Sequence, residues 1–249
     1  MTRETAWYLG VGRADVAPRA ILVGDPGRVD VFARHLDARR EFGGDRALRG
    51  VTGTYREKAL TVCSFGMGAP IAVVVMEELA ALGSRSFLRA GTVMSVGDIG
   101  QGDLVLAHAA VRGESTSATY VPDGYPAAAD PDLLACARQT LDRLGDRYRV
   151  GLVASYDGFY TEMLGLSPER RQRIAERTAE LRRLGVIALD MESSAILAVA
   201  PALGARAATL CLATVDARGE QLDQLARQQA EERLTVAALE TMSAFEESP

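Results

Sequence analysis

Apolar runs of strand length alternate along the whole chain with longer stretches of helical period, and glycine, aspartate and proline stand at the junctions. This alternation is the strongest constraint on the fold, because strands with buried faces need helices to cover them. Strands are expected at residues 20–24, 59–65, 85–90, 103–111, 149–155, 186–189 and 206–215, and helices at 27–36, 69–82, 131–144, 168–184, 191–203 and 220–246. The expected fold class is α/β. One domain, residues 1–249, would form three layers, α/β/α, around a central mixed and largely parallel sheet. In such sheets ligands collect where strands end and loops begin.

Composition narrows the function classes. The 249 residues are 48% hydrophobic and 24% charged, which suits a globular chain with a substantial core. A formal charge of −5, from 33 acidic and 28 basic residues without a long basic block, argues against nucleic acid as a partner. The longest apolar stretches are broken by Glu77 and Glu78, and by Pro201, Gly204 and Arg206, short of a membrane span. The opening MTRETAWYLG is not a secretory signal, so a cytoplasmic location is expected. Cys63, Cys136 and Cys211 are odd in number and widely spaced, with only His35 and His108 beside them. They read as small core residues, with neither a metal site nor a disulfide framework.

Charged residues at strand ends point to chemistry. VGDPGRVD, residues 23–30, runs from a strand through a tight turn into a helix with Arg28 in its first turn. Either this is a plain turn with a surface arginine, or the helix N–H groups and the guanidinium meet a phosphate. SFGMGAP, residues 64–70, is a second strand-glycine-helix junction and by itself a weak signal. In SFLRAGTVMSVG, Arg89 ends an apolar strand and Thr92 follows three residues later. A buried guanidinium requires an anion, supplied by an internal carboxylate or by a ligand shared with Arg28 and Thr92. VIALDMESSAIL, residues 186–197, sets Asp190 and Glu192 at another strand end. They either cap the following helix or, in the case of Glu192, accept hydrogen bonds from vicinal sugar hydroxyls.

Taken in order, YLG, GDPGR, TGTY, GMG, MEELAALG, FLRAGT, YPAAAD, SYDGFY and DMES resemble the nucleoside phosphorylases of the uridine phosphorylase and hexameric purine nucleoside phosphorylase type. The stretch from GDLVLAHAAVRGESTS to YPAAAD is similar to the uridine phosphorylase branch. The resemblance implies phosphate-dependent cleavage of a nucleoside to free base and sugar 1-phosphate, with no cofactor and orthophosphate as co-substrate. It implies phosphate binding by Gly24, Arg28, Arg89 and Thr92, with Arg46 lent from a neighbouring subunit. Met191 and Glu192 would line the ribose, and Phe159 would pack on base or sugar. Catalysis would rest on Arg28, Arg89 and Glu192, in a homo-oligomer whose usual form is a hexamer built from three dimers with shared sites. A nucleosidase using water, or a non-catalytic nucleoside-binding homologue, are the alternatives.

The departures from the family pattern surround the nucleoside. Tyr8 stands where the family has a histidine reaching a neighbour's 5′-hydroxyl, so either a phenol makes that contact or the 5′ position is modified. Asp190 replaces a glutamate, and Met94 replaces a glycine beside the base. The Gln-x-Arg that reads uracil is replaced by Thr161, Glu162, Met163, Leu164 and Gly165. Asp216 is a candidate acid at the base, although ungapped counting puts Val215 there.

Overall fold

The computed structural model describes residues 5–43 and 45–246. Strands and helices alternate as β1 (Arg19–Val23), α1 (Pro26–Ala33), β2 (Asp37–Gly43), β3 (Arg49–Tyr55), β4 (Lys58–Ser64), α2 (Ala69–Leu82), β5 (Ser86–Ser95) and β6 (Leu104–Gly113). They continue as β7 (Ala127–Ala128), α3 (Pro131–Leu144), β8 (Tyr148–Tyr156), α4 (Pro168–Arg183), β9 (Val186–Asp190), α5 (Ser193–Ala202), β10 (Arg206–Asp216) and α6 (Gln224–Ala244). Local chemistry sets the boundaries. Proline occupies one of the first two positions of α1 to α4, where its missing N–H costs nothing. Asp25, Asp130, Ser167 and Asp223 cap helix N-termini with their side chains, and the last of these starts α6 four residues later than the periodicity suggests.

Two strands escaped the sequence reading for a physical reason. β2 is exposed along nearly its whole length and charged, so it shows no alternation. β3 carries Gly50 and Gly53, which read as turn residues, yet their missing side chains admit the Phe42 ring and the Asp37 carbonyl of β2.

The sheet is mixed, as expected, and its long pairings β5–β10 and β6–β8 are parallel. Pairings β1–β4, β1–β5, β5–β10, β6–β8 and β8–β9 are parallel, whereas β2–β3, β3–β4, β5–β9, β6–β7 and β6–β10 are antiparallel. Strands β5, β10, β6, β8 and β9 close on themselves, because β9 pairs back to β5 through Met94 with Leu189 and Ser95 with Ala188. Val93, Val105, Ala107, Val153, Ala188, Cys211 and Ala213, drawn from all five strands, pack together inside this barrel. So narrow a barrel is filled by small side chains. An open wing, β1-β4-β3-β2, continues from β5.

The helices form two outer layers: α2 packs on α5, while α3 and α1 pack on α6. Cys63 and Cys211 are buried as expected, and Cys136 is only half-buried. Among the described residues no helix is long and apolar enough to cross a membrane.

β5 decides where a ligand can sit. On one side it pairs with β10 throughout, but on the other its first half pairs with β1 and its last two residues with β9. Between them, Ala90 to Val93 have no strand neighbour on that side, a crevice of the kind found where strand order changes direction.

Candidate functional site

A cavity of about 460 Å³ opens at this crevice, lined by Gly24, Arg28, Arg89, Thr92, Met94, Phe159, Asp190, Met191 and Glu192 among others. The lining residues thus come from the ends of β1, β4, β9 and β10, the interior of β5, the β8–α4 connection and α6; Arg89 and Thr92 lie inside β5, which runs five residues beyond the expected end at 90.

The β1–α1 turn is held by backbone contacts. Gly66 N–H donates to Gly24 C=O at 2.9 Å, and a Cβ on Gly24 would come within 3.0 Å of the Gly66 carbonyl. The helix N-terminus itself is already capped, since the Asp25 carboxylate accepts from Gly27 N–H at 2.8 Å and Arg28 N–H donates to the Asp25 carbonyl. The Gly27 and Arg28 N–H groups are thus taken within the turn, and the Arg28 guanidinium is the charged donor it adds to the cavity. Arg28 is buried, with Nη2 3.2 Å from Glu231 Oε1 of α6, and its Nε is buried without a hydrogen-bond partner. Glu231 Oε1 also accepts from Arg227 Nε at 3.0 Å. No sequence signal marked Glu231 or Arg227, because only the docking of α6 brings them to the β1–α1 turn.

Arg89 is 3% exposed, and its internal counter-ions are the carboxylates at the β9–α5 junction. Nη2 pairs with Glu192 Oε2 and lies 3.2 Å from Asp190 Oδ2, while Nη1 is 2.7 Å from Cys211 Sγ. Burial opposes the charge on Arg89, but Cys211, Asp190 and Glu192 outweigh it and raise its pKa above the ordinary value. Cys211 is itself pushed up to about 11, chiefly by burial, so at neutral pH it is a thiol and the acids balance the arginine. Arg89 Nε is buried without a partner. The guanidinium reaches its partners by folding back over Gly91, where any Cβ would collide with it. The glycine after Arg89 is therefore part of the site, since a larger residue would displace the charge.

Glu192 is fixed from two sides. Besides Arg89, its Oε1 accepts from Gly68 N–H at 2.7 Å. Gly68 has φ of +97°, a backbone conformation that side chains rarely adopt, so the GMG motif positions this carboxylate. A carboxylate offers about four acceptor positions, which leaves Glu192 room to accept from a ligand.

Asp190 differs. Its oxygens accept from Ser155 Oγ and Ser193 Oγ, each at 2.5 Å, and from Ser193 N–H at 3.1 Å, in addition to facing Arg89. Although Asp190 lines the cavity, its carboxylate is engaged by protein groups and caps α5. Its Oδ2, 3.2 Å from Arg89 Nη2, also helps to hold that guanidinium.

The opposite end of the cavity is apolar. Met94, Met163 and Leu189 belong to one hydrophobic cluster, with Phe159, Met191 and Val215 packed against it. Residues Phe159–Met163 form a single π-helical turn after Gly158. Within it Met163 faces the cavity, whereas Glu162 pairs with Arg177, which lies 4.2 Å from the centre of the Tyr156 ring. Asp216 is directed elsewhere, its Oδ1 accepting from Arg218 and Glu220 N–H groups at 2.9 Å, and Val215 lines the cavity as ungapped counting has it. Asp216 is thereby corrected from base-directed acid to turn residue.

Tyr8 and Arg46 stand outside this cavity. The Arg46 guanidinium lies 5.5 Å from the Tyr8 ring centre, and Glu78 accepts from the Tyr8 N–H at 2.9 Å.

The sequence pattern of the phosphorylase superfamily matches residues 18–245. A uridine phosphorylase of Thermococcus kodakarensis is 34% identical over 211 residues, 82% of this chain and 75% of that protein. A guanosine phosphorylase of Halorubrum lacusprofundi is likewise 34% identical, over 84% of this chain and 82% of its own length. In three dimensions the chain is similar to a crystal structure of uridine phosphorylase from Vibrio fischeri, with a TM-score of 0.86, 28% identity and coverage of 97% and 98%.

Proposed function

The chain belongs to the phosphorylase superfamily and is a nucleoside phosphorylase, and on that premise we propose the parts its own residues take. An oxygen of orthophosphate forms the new bond to C1′ of the sugar as the C1′–N bond breaks. The base leaves with the bonding electrons and is protonated from solvent. Positive charge grows on the sugar in the transition state, so an anion fixed beside C1′ both stabilises it and serves as nucleophile.

Arg28, Arg89 and Thr92, with the Gly24 turn, hold the phosphate; Glu192 accepts from the sugar hydroxyls; Met191 packs on the ribose and Phe159 on the base or sugar. One observation carries this reading. Two buried guanidiniums from distant parts of the chain line the same cavity, each with a buried Nε that has no partner among the described residues, beside a carboxylate pinned for acceptance. Both cations also pair with internal carboxylates, and an orthophosphate in the cavity would compete with these for the guanidiniums. The test is base release with and without orthophosphate. Release that requires orthophosphate and yields equimolar sugar 1-phosphate supports phosphorolysis. Release without it identifies a nucleosidase, and no release from any nucleoside identifies a binding protein.

Arg46 and Tyr8 are read as completing the cavity of a second copy, in a dimer-based hexamer, because they stack on each other and neither lines the cavity of its own chain. Subunit mixing checks this. Arg46→Ala and Arg89→Ala variants, each inactive alone, regain activity well above either when co-expressed, since one site of a mixed dimer then carries both defects and the other neither. If Arg46 served its own chain, every mixed site would carry one defect and activity would stay lost.

A further inference from the structure

The apolar end of the cavity offers almost no polar side chain to read the edge of a base. Its walls are the thioethers of Met94, Met163 and Met191, the Phe159 ring and the Leu189 and Val215 side chains. Thr214 supplies a hydroxyl there, while its carbonyl already accepts from Leu222 N–H. The β8–α4 connection determines this character. Thr161 and Glu162 line a separate surface depression with Arg177, so the segment's polar side chains face away from the cavity and Met163 faces in. Asp216 is likewise turned onto its own loop. The charged residues of the lining are Asp25, Arg28, Arg89, Asp190, Glu192 and Arg227, none of them in the apolar cluster.

Resting on the phosphorolysis reading above, we propose that the base is accepted by shape and apolar contact without its hydrogen-bonding edge being read, so that the substrates include nucleosides alkylated on the pairing-edge ring nitrogen. The physical basis is what such walls can and cannot reject. A site built with polar readers leaves them unpaired when the analogue lacks a partner, and discriminates by about 10⁴–10⁵. Methionines have no such groups to strand, and their flexible, polarisable side chains adapt to an added methyl. Phe159 adds a π-face that any base can contact, whatever its edge carries.

The experiment compares kcat/KM for orthophosphate-dependent formation of ribose 1-phosphate from uridine and 3-methyluridine, and from inosine and 1-methylinosine. Methylation at these positions leaves the glycosidic nitrogen unchanged, so the pairs differ mainly at the edge in question. The methylated member of whichever pair is turned over is expected to stay within about tenfold of its parent. A larger loss overturns the inference and leaves phosphorolysis standing. If neither parent is turned over, guanosine with 1-methylguanosine is the pair compared, and no ribose 1-phosphate from any of the six overturns the underlying reading, and the inference with it.

Discussion

Arg89→Ala is expected to lower kcat/KM for phosphorolysis by about 10²–10³, the usual effect of losing one preorganised donor from a charged transition state. The same change removes the shared counter-ion of Asp190 and Glu192, which lie buried beside it. Breaking a buried ion pair in this way costs about 3–5 kcal/mol, so loss of activity could follow from loss of fold. Arg89→Lys separates the two effects. Lysine keeps one positive charge near both acids, but its compact ammonium cannot span Glu192, Asp190 and a phosphate as a planar fork does. The lysine variant should therefore melt close to the parent in thermal unfolding while turning over far more slowly. Parental kcat/KM in that variant would remove Arg89 from the phosphate site.

Glu192→Gln should reduce kcat/KM by on the order of a hundredfold with ribonucleosides, because an amide accepts hydroxyl hydrogen bonds less strongly than a carboxylate. Glutamine retains the size of the side chain and an oxygen for Gly68 N–H, so the fold should persist. The carboxylate also contacts Arg89, and its effect could run through the phosphate instead of the sugar. A comparison with 2′,3′-dideoxynucleosides resolves this. If Glu192 acts on the hydroxyls, removing both hydroxyls and the charge costs no more than removing the hydroxyls, the non-additivity of a shared interaction. Equal losses on both substrate types would assign Glu192 to positioning Arg89 alone.

The residues brought together at the cavity were legible because each sits where local chemistry is conspicuous. Arg89 interrupts an apolar strand, Asp190 and Glu192 end another, and Arg28 follows a glycine-proline turn. Such positions oppose the hydrophobic pattern around them, and conflict between charge and burial is visible in one dimension. The positioning groups were hidden. Gly68 looked like one turn glycine among many, yet its N–H holds Glu192. Ser155 supports Asp190 from 35 residues away, and Glu231 reaches Arg28 across 203. Asp190 and Asp216 illustrate the opposite difficulty: a carboxylate near a site by residue count can accept hydrogen bonds from its own neighbours in the chain.

Strand-helix alternation, helix starts at proline and capping residues, and the identity of the charged groups came from the sequence alone, because they depend on interactions within a few residues. Closure of β9 onto β5, the crevice it leaves beside Ala90 to Val93, and the turning of Glu162 away from the cavity came only from tertiary structure. Those features arise from pairings between segments far apart in the chain, and neither periodicity nor composition records which edge a strand presents to a distant partner.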